Sequence, residues 1–375
     1  MSTGAAISLR HVSKRFSGTE APAVADLSLD VEAGHLVALV GPSGCGKTTT
    51  LKMINRLIEP TSGTIEVFGD DQAVAPAHEL RRRIGYVIQQ VGLFPHRTIA
   101  RNIGVVPELL GWDRARIAER SAELVDLVGL ERELLDRDPA ELSGGQQQRV
   151  GVARALAADP PILLMDEPYS AVDPVVRERL QDDLLALQAK VRKTIVFVTH
   201  DIDEAIRLAD RVAILNVGGV LEQYDSPDGL LADPANEFVA AFLGRERGLR
   251  RLALRTVADI ATIDGPALPP TASRADAEAT MARERSSWVA VVQAGVLHGW
   301  VDRRAIEGLG AAGTLDDLEP QRFVARVSPD TPLRQALDVI VTSHSRIAAV
   351  VDGDRFLGMI TVDEVAGGLD EWLAG

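Results

Sequence analysis

Leu36-Val37-Ala38-Leu39-Val40-Gly41-Pro42-Ser43-Gly44-Cys45-Gly46-Lys47-Thr48-Thr49 decides the fold. Five apolar residues in succession mark a strand buried on both faces, as in a parallel sheet covered by helices. The strand runs straight into glycines, and residues 48–57 after them read as a helix. The spacing of Gly41, Gly46, Lys47 and Thr48 in that strand–turn–helix context is that of a phosphate loop. Backbone N–H groups of Gly44, Cys45, Gly46, Lys47, Thr48 and Thr49 can wrap a phosphate at the helix N-terminus, with Gly41 and Ser43 in the same loop. Lys47 then reaches the β- and γ-phosphates and the Thr48 hydroxyl ligates Mg²⁺. Cys45 reads as small loop filler rather than a reactive thiol.

Outward from this loop, residues 7–12, 25–31, 63–68, 84–88, 162–165 and 195–198 have strand character. A helix begins at Pro174 behind Asp173 and carries Val176, Leu180, Leu184 and Leu187 on one side. Residues 107–137 turn helical, with Ile117, Leu124, Val125 and Val128 on one face, so an inserted helical subdomain is expected at about 90–155. Alternating strands and helices mean an α/β fold with a mainly parallel sheet.

The chain has 375 residues, 46% hydrophobic and 25% charged, so two or three domains with substantial cores are expected. A net charge of −14 without basic clusters argues against nucleic acid as the partner. The single cysteine cannot form an internal disulfide, and no cationic stretch with an apolar run opens the chain, so a cytosolic location is the expectation. The longest apolar run, 238–243, is far short of the ~18 residues that cross a bilayer. Membrane association therefore has to come through a partner.

Two carboxylates, Asp166 and Glu167, end the apolar strand 162–165, and His200 follows the strand 195–198. Asp166 suits a Mg²⁺ partner, Glu167 a base that polarises water, and His200 a contact to a γ-phosphate. Leu142-Ser143-Gly144-Gly145-Gln146-Gln147-Gln148-Arg149 closely resembles the signature of ABC-type ATPases. The other motifs of that family flank it in order: Gln89 in Val87-Ile88-Gln89-Gln90 as the Q-loop, Asp166-Glu167, Ser170-Ala171-Val172-Asp173 as the D-loop, then His200 as the switch histidine. The resemblance covers residues 7 to about 243. It implies a RecA-like P-loop cassette that binds ATP and Mg²⁺, with Lys47, Gln89, Glu167 and His200 catalytic and Thr48, Gln89 and Asp166 at the metal. It also implies a head-to-tail homodimer, in which Ser143, Gly144, Gly145 and Gln146 of one copy and its Asp173 close on the ATP held by the other. Phe16 falls where the family stacks an aromatic on adenine; a core aromatic is the other reading.

A single cassette with no membrane span resembles the separate ATPase subunit of a bacterial importer. Such a subunit sits peripherally on the cytoplasmic face of the plasma membrane, bound to transmembrane permease subunits and served indirectly by a solute-binding protein. Phe94, in Leu93-Phe94-Pro95-His96, lies near the family's permease groove or else in the helical-subdomain core. Met53-Ile54-Asn55-Arg56-Leu57-Ile58-Glu59-Pro60 and the stretch from Ile84 to His96 resemble the importers of osmoprotectants such as glycine betaine, carnitine and choline. A methionine or polyamine importer and a soluble ABC regulator are the alternatives.

The ATPase domain is placed at 1–244 and a linker at 245–251. Beyond it, Val289-Ala290-Val291-Val292 with Gly299-Trp300-Val301 recurs as Ala348-Ala349-Val350-Val351 with Gly358-Met359-Ile360 at an offset of 59. Leu333, Ala336, Leu337, Ile340 and Val341 share a helix face in the second copy; Ala277 and Met281 keep that face in the first, where Arg274 and Glu278 break it. The repeats, at 252–310 and 311–375, resemble a tandem pair of CBS (βαββα) domains. The resemblance implies one adenine nucleotide or cyclic di-AMP that adjusts activity, with Asp363 on its ribose: the second copy keeps the family's pattern with Thr361 and Asp363, while the first has Asp302 and Arg304 in the equivalent places. Asp363 as a helix cap and a pure dimerisation module are the other readings.

Overall fold

The computed structural model describes residues 4–374 apart from Ala75, Gln90, Val91, Ala171, Ala311 and His344, with the side chains of 369–374 outside the description. Three quoted motif residues, Gln90, Val91 and Ala171, thus lie outside the described residues. Contacts divide the chain into two units, Met1–Gly244 and Arg245–Gly375.

The first unit starts with β1 (Ala5–Lys14), β2 (Val24–Glu32) and β3 (Leu36–Val40), then α1 (Lys47–Ile54), β4 (Ser62–Val67), β5 (Asp70–Asp71), α2 (Ala77–Arg82) and β6 (Ile84–Val87). Four helices follow: α3 (Ile99–Ile103), α4 (Val105–Leu109), α5 (Arg114–Leu127) and α6 (Gly144–Leu156). Then come β7 (Ile162–Asp166), α7 (Pro174–Val191), β8 (Thr194–Val198), α8 (Ile202–Leu208), β9 (Arg211–Asn216), β10 (Val220–Asp225), α9 (Pro227–Ala232) and α10 (Glu237–Leu243).

Six strands form a sheet in the order β10-β9-β3-β8-β7-β6, parallel except at the β10 edge. β3, β7 and β8 are buried at every position, as their unbroken apolar runs require. The N-terminal extended segments do not join this sheet. They form a separate antiparallel one, β2-β1-β4-β5, and the in–out alternation along β2 is that of a sheet with one face on the core. Val37 and Leu39 of β3 share one core with Leu9 and Leu27 of the second sheet and Leu51 and Ile54 of α1. That helix stops at Ile54, short of the expected residue 57, and Arg56 just beyond it has φ +48.

The second unit opens with α11 (Arg247–Ala253), so most of the expected linker 245–251 is helix. Its charges hid one anchor: Leu252 is 2% exposed and packs with Leu333, Ala336 and Ile340. Next are β11 (Ala267–Leu268), α12 (Arg274–Arg283), β12 (Trp288–Gln293), β13 (Val296–Asp302), α13 (Arg303–Glu307), β14 (Arg326–Val327), α14 (Leu333–Thr342), β15 (Ile347–Asp352), β16 (Arg355–Thr361) and α15 (Val362–Ala374). They build one sheet, β11-β12-β13-β16-β15-β14. The internal repeat is a repeat of register: Val291 pairs with Gly299, Val350 with Gly358, and a bulge follows in each copy.

The repeats do not separate cleanly at residue 310. Leu252 and Val257 belong to the core of the second copy, and Leu315 to that of the first. Val341, expected on the buried face of α14, is 64% exposed; Leu333, Ala336 and Ile340 carry that face.

One close approach fixes the helical stretch to the sheet. Gly85 of β6 lies so near α6 that a Cβ would stand 2.4 Å from the Ala155 carbonyl oxygen. Gly85→Ala is expected to cost roughly 1–3 kcal/mol, the usual range for overpacking, in equilibrium urea unfolding.

Candidate active site

The loop between β3 and α1 is built on two glycines that no other residue could replace unchanged. Gly41 has φ +151 and a Cβ there would fall 2.0 Å from the Leu215 carbonyl oxygen; Gly46 has φ +95 and its Cβ would fall 2.5 Å from that of Ala23. Gly46 is the N-cap of α1, and its carbonyl already accepts the Thr50 N–H at 2.8 Å. The first-turn N–H groups, those of Lys47, Thr48 and Thr49, are left without intrahelical acceptors. Cys45 is fully buried beneath the loop, as a filler should be. Lys47 is 7% exposed and its Nζ folds back to donate to the carbonyls of Gly41 (2.7 Å) and Pro42 (3.1 Å). The cation is thus held over the loop by backbone oxygens. Ser43 and Gly44 are exposed on the loop's outer side.

From α1, Thr48 Oγ1 donates to Asp166 Oδ1 at 2.8 Å, which joins the loop to the end of β7. Asp166 is 5% exposed, and burial pushes its carboxyl above the ordinary range, against the Thr48 bond and the positive charges of Lys52 and Lys47. The next residue, Glu167, sits at φ +45, a strained conformation for a non-glycine residue. Its N–H is held by the Val198 carbonyl of β8 at 3.0 Å. Glu167 Oε2 accepts from Gln89 Nε2 at 2.9 Å, and its Oε1 lies 3.6 Å from His200 Nδ1. His200 itself is mostly exposed, at 63%. One strand edge therefore gathers Lys47, Thr48, Asp166, Glu167, Gln89 and His200. Hydroxyl and carboxylate oxygens side by side are hard donors of the kind Mg²⁺ takes, and among the described residues no group of three or more His, Cys, Asp or Glu is arranged to hold a metal ion by itself.

Other predicted residues lie apart from this edge. Ser143 is the N-cap of α6: its Oγ accepts the Gln146 N–H and Gln146 Oε1 accepts the Ser143 N–H, a reciprocal capping box. Gly144 and Gly145 form the first turn, and a Cβ on Gly144 would meet open space. Asp173 caps α7 through the Val176 N–H at 3.1 Å. Phe16 is 39% exposed with Lys14 Nζ 5.3 Å from its ring, so it is not a core aromatic. Asp363 lies exposed in the first turn of α15 with its N–H on Thr361 Oγ1, while Glu364 caps the Thr361 N–H. A cavity of about 740 Å³ in the second unit is lined instead by Asp302, Trp288, Trp300, Phe323 and Arg322.

Several supporting residues escaped the sequence reading. Asn102, fully buried, binds the Phe94 N–H with Oδ1 at 2.7 Å and the carbonyls of Phe94, Arg97 and Thr98 with Nδ2. Phe94, held that way, is 41% exposed at a cavity of about 310 Å³ lined also by Tyr86, Val105 and Val106. Thr199 and Glu204 form a buried pair behind His200. The only hint of Glu204 was an acid on the first turn of a helix.

The ABC transporter family model matches residues 24–170, and the CBS domain model residues 315–371. Over 96% of this chain and 95% of its own length, the osmoprotectant import ATP-binding protein OsmV of Salmonella typhimurium is 46% identical. The carnitine transport ATP-binding protein OpuCA of Listeria monocytogenes is 45% identical over 95% of this chain and 90% of its own. The chain belongs to the family of ABC ATP-binding subunits of osmoprotectant importers. It is thus an ABC-type ATPase whose second unit is of the CBS kind. Among solved structures, the dimeric post-hydrolysis ATP-binding cassette MJ0796 bound to ADP and Pi covers 59% of this chain and 98% of its own, at 34% identity and a TM-score of 0.53. The cbiO1 subunit from Clostridium perfringens shares the cassette fold, with a TM-score of 0.59 at 23% identity over 67% of this chain and 96% of its own. No described helix of this ATPase is long and apolar enough to cross a membrane.

The Thr48–Asp166 bond is testable without nucleotide. Thr48→Val leaves the buried carboxylate a partner short and is expected to cost about 1–3 kcal/mol in urea unfolding of the apo protein, whereas Thr48→Ser keeps most of it.

Proposed function

We propose that this chain hydrolyses ATP between two copies of itself to drive uptake of small quaternary amines, such as glycine betaine, carnitine and choline, through a membrane permease. The cassette occupies residues 1–244. The observation that carries the reading is the grouping of Gln89, Glu167 and His200 beside the Thr48–Asp166 bond, in a chain similar end to end to osmoprotectant import proteins. The loop N–H groups of residues 44–49 and Lys47 hold the phosphates, and Phe16, with its ring partly exposed, stacks on adenine. Thr48, Gln89 and Asp166 are the side chains for Mg²⁺, which when bound offsets charge on the phosphate oxygens.

Glu167 accepts a hydrogen bond from the attacking water and polarises it toward the γ-phosphorus; Gln89 and His200 keep that carboxylate and the phosphate in line. The exposed helix start at Ser143, Gly144, Gly145 and Gln146 is a second anion cradle. One chain needs one, so a head-to-tail pair, with Asp173 at the seam, puts each ATP against the cradle of the other copy. In this reading the cavity beside Phe94 is where a permease segment docks, the subunit works at the cytoplasmic face of the membrane, and a solute-binding protein acts upstream; the exposure of Phe94 at that cavity supports it.

The test is uptake by vesicles holding the complete complex with ATP enclosed. Wild type is expected to import quaternary amines; Glu167→Gln is expected to bind ATP and import nothing. Uptake of methionine or polyamines instead would move the chain to another importer class, and ATPase activity independent of any permease would favour a soluble regulator.

A second reading concerns the 740 Å³ cavity, whose aromatic walls, carboxylate and guanidinium suit a nucleoside-sized ligand such as an adenine nucleotide or cyclic di-AMP. Asp302 replaces Asp363 as its carboxylate in this reading. Calorimetry on the full chain is expected to show binding of AMP or cyclic di-AMP, or a second ATP site beyond that of the cassette, that Trp300→Ala abolishes; heats that Trp300→Ala leaves unchanged would leave the pair a dimerisation module.

A further inference from the structure

Behind the reacting edge lies a layer that the chemistry above does not use. Thr199, at the end of β8, is 2% exposed; its Oγ1 accepts the Asp201 N–H at 3.0 Å and donates to Glu204 Oε2 at 2.9 Å. The turn that carries His200 is therefore closed on itself by the side chain of Glu204. Glu204 is 6% exposed, and its other oxygen, Oε1, is buried with no partner. Opposite stands Arg177 of α7. Its Nη2 donates to the Val172 carbonyl at 3.3 Å, its Nη1 lies 3.7 Å from Asp201 Oδ2, and its Nε is buried with no partner. Both side chains line one cavity of about 10 Å³, together with Glu167, Tyr169, Ser170 and His200.

An acceptor and a donor, each buried and unpaired on the wall of a cavity sized for about one water, are complementary. A water there would donate to Glu204 Oε1 and accept from Arg177 Nε, and so satisfy both atoms. We propose that Glu204 and Arg177 are positioning residues, joined through that water, which tie the turn bearing His200 to the Val172 carbonyl just before Asp173. The link makes the 3.6 Å spacing of His200 and Glu167 depend on where residues 172–173 stand. Burial, with Asp201 and Glu167 nearby, pushes the Glu204 carboxyl up to about 7, against the pull of Thr199 and Arg177; an acid in that state is sensitive to its one remaining partner.

The proposal rests on Glu167 and His200 being the reacting edge, so Glu167→Gln is run as a control, with every variant assayed as the full-length protein in its permease complex. Turnover that survives in that control overturns the reading of the edge rather than the link. Glu204→Gln and Arg177→Met are each expected to lower kcat roughly ten- to a hundredfold, as misplacement of a reacting group does, with KM for ATP within about twofold of wild type. The double variant is expected to be no worse than the worse single one, because both break one path. Arg177→Lys, which keeps a donor, recovers part of kcat. Single variants that retain kcat, or losses that multiply in the double variant, overturn the proposal. Should Glu204→Gln fail to fold, Arg177→Met and Arg177→Lys, at a side chain about one-third exposed, decide it by the same split of kcat from KM.

Discussion

Three fully buried parallel strands, adjacent in the order β3-β8-β7, have to end at one edge before any of the chemistry can exist. Their register sets where each delivers its next residue: Leu39 pairs with Val198 and Asp166 with Val198, so the turns after β3, β7 and β8 leave the sheet side by side. The phosphate loop, the two carboxylates and the histidine are consequences of that alignment. A slip of any strand would separate Thr48 from Asp166 or Glu167 from His200. Burial on both faces makes such a slip costly, which is why the site rests on the least changeable part of the molecule.

Local devices then aim the groups. Glu167 is pinned in a strained conformation by the Val198 carbonyl, and its carboxylate is shared between Gln89 and His200. The side chain is thereby held before any substrate arrives, as preorganised sites require. Helix caps do comparable work farther off, where Ser143 and Asp173 each close a helix start and leave backbone N–H groups facing outward.

The second unit shows how a repeated sequence makes an unequal pair. Trp300 and Gln321 exchange backbone hydrogen bonds, and so do Met359 and Ile263 at the matching place. Trp300 faces a cavity there, whereas Met359 packs against Gly265, so the two clefts differ. A tryptophan in one copy and a methionine in the other suffice to break the symmetry. Asp302, which stands in the first copy where the second has Thr361, lines that cavity, whereas Asp363 lies exposed in the first turn of α15.

The parallel core, the loop, its two carboxylates and the internal repeat were all legible in the order of residues, because each depends on a short run: an unbroken apolar strand, a fixed glycine spacing, a recurring pattern. What the residue order left open were relations between distant segments. The charged stretch that opens the second unit turned out to be a helix because Leu252 found a core with Leu333, Ala336 and Ile340, more than 80 residues on in the chain. The outer antiparallel sheet, the exposure of Val341, the carboxylate of the cavity and the buried Glu204 were likewise decided only by packing. Hydrophobic burial and desolvation act on neighbours in space, and those neighbours exist only once the chain has folded.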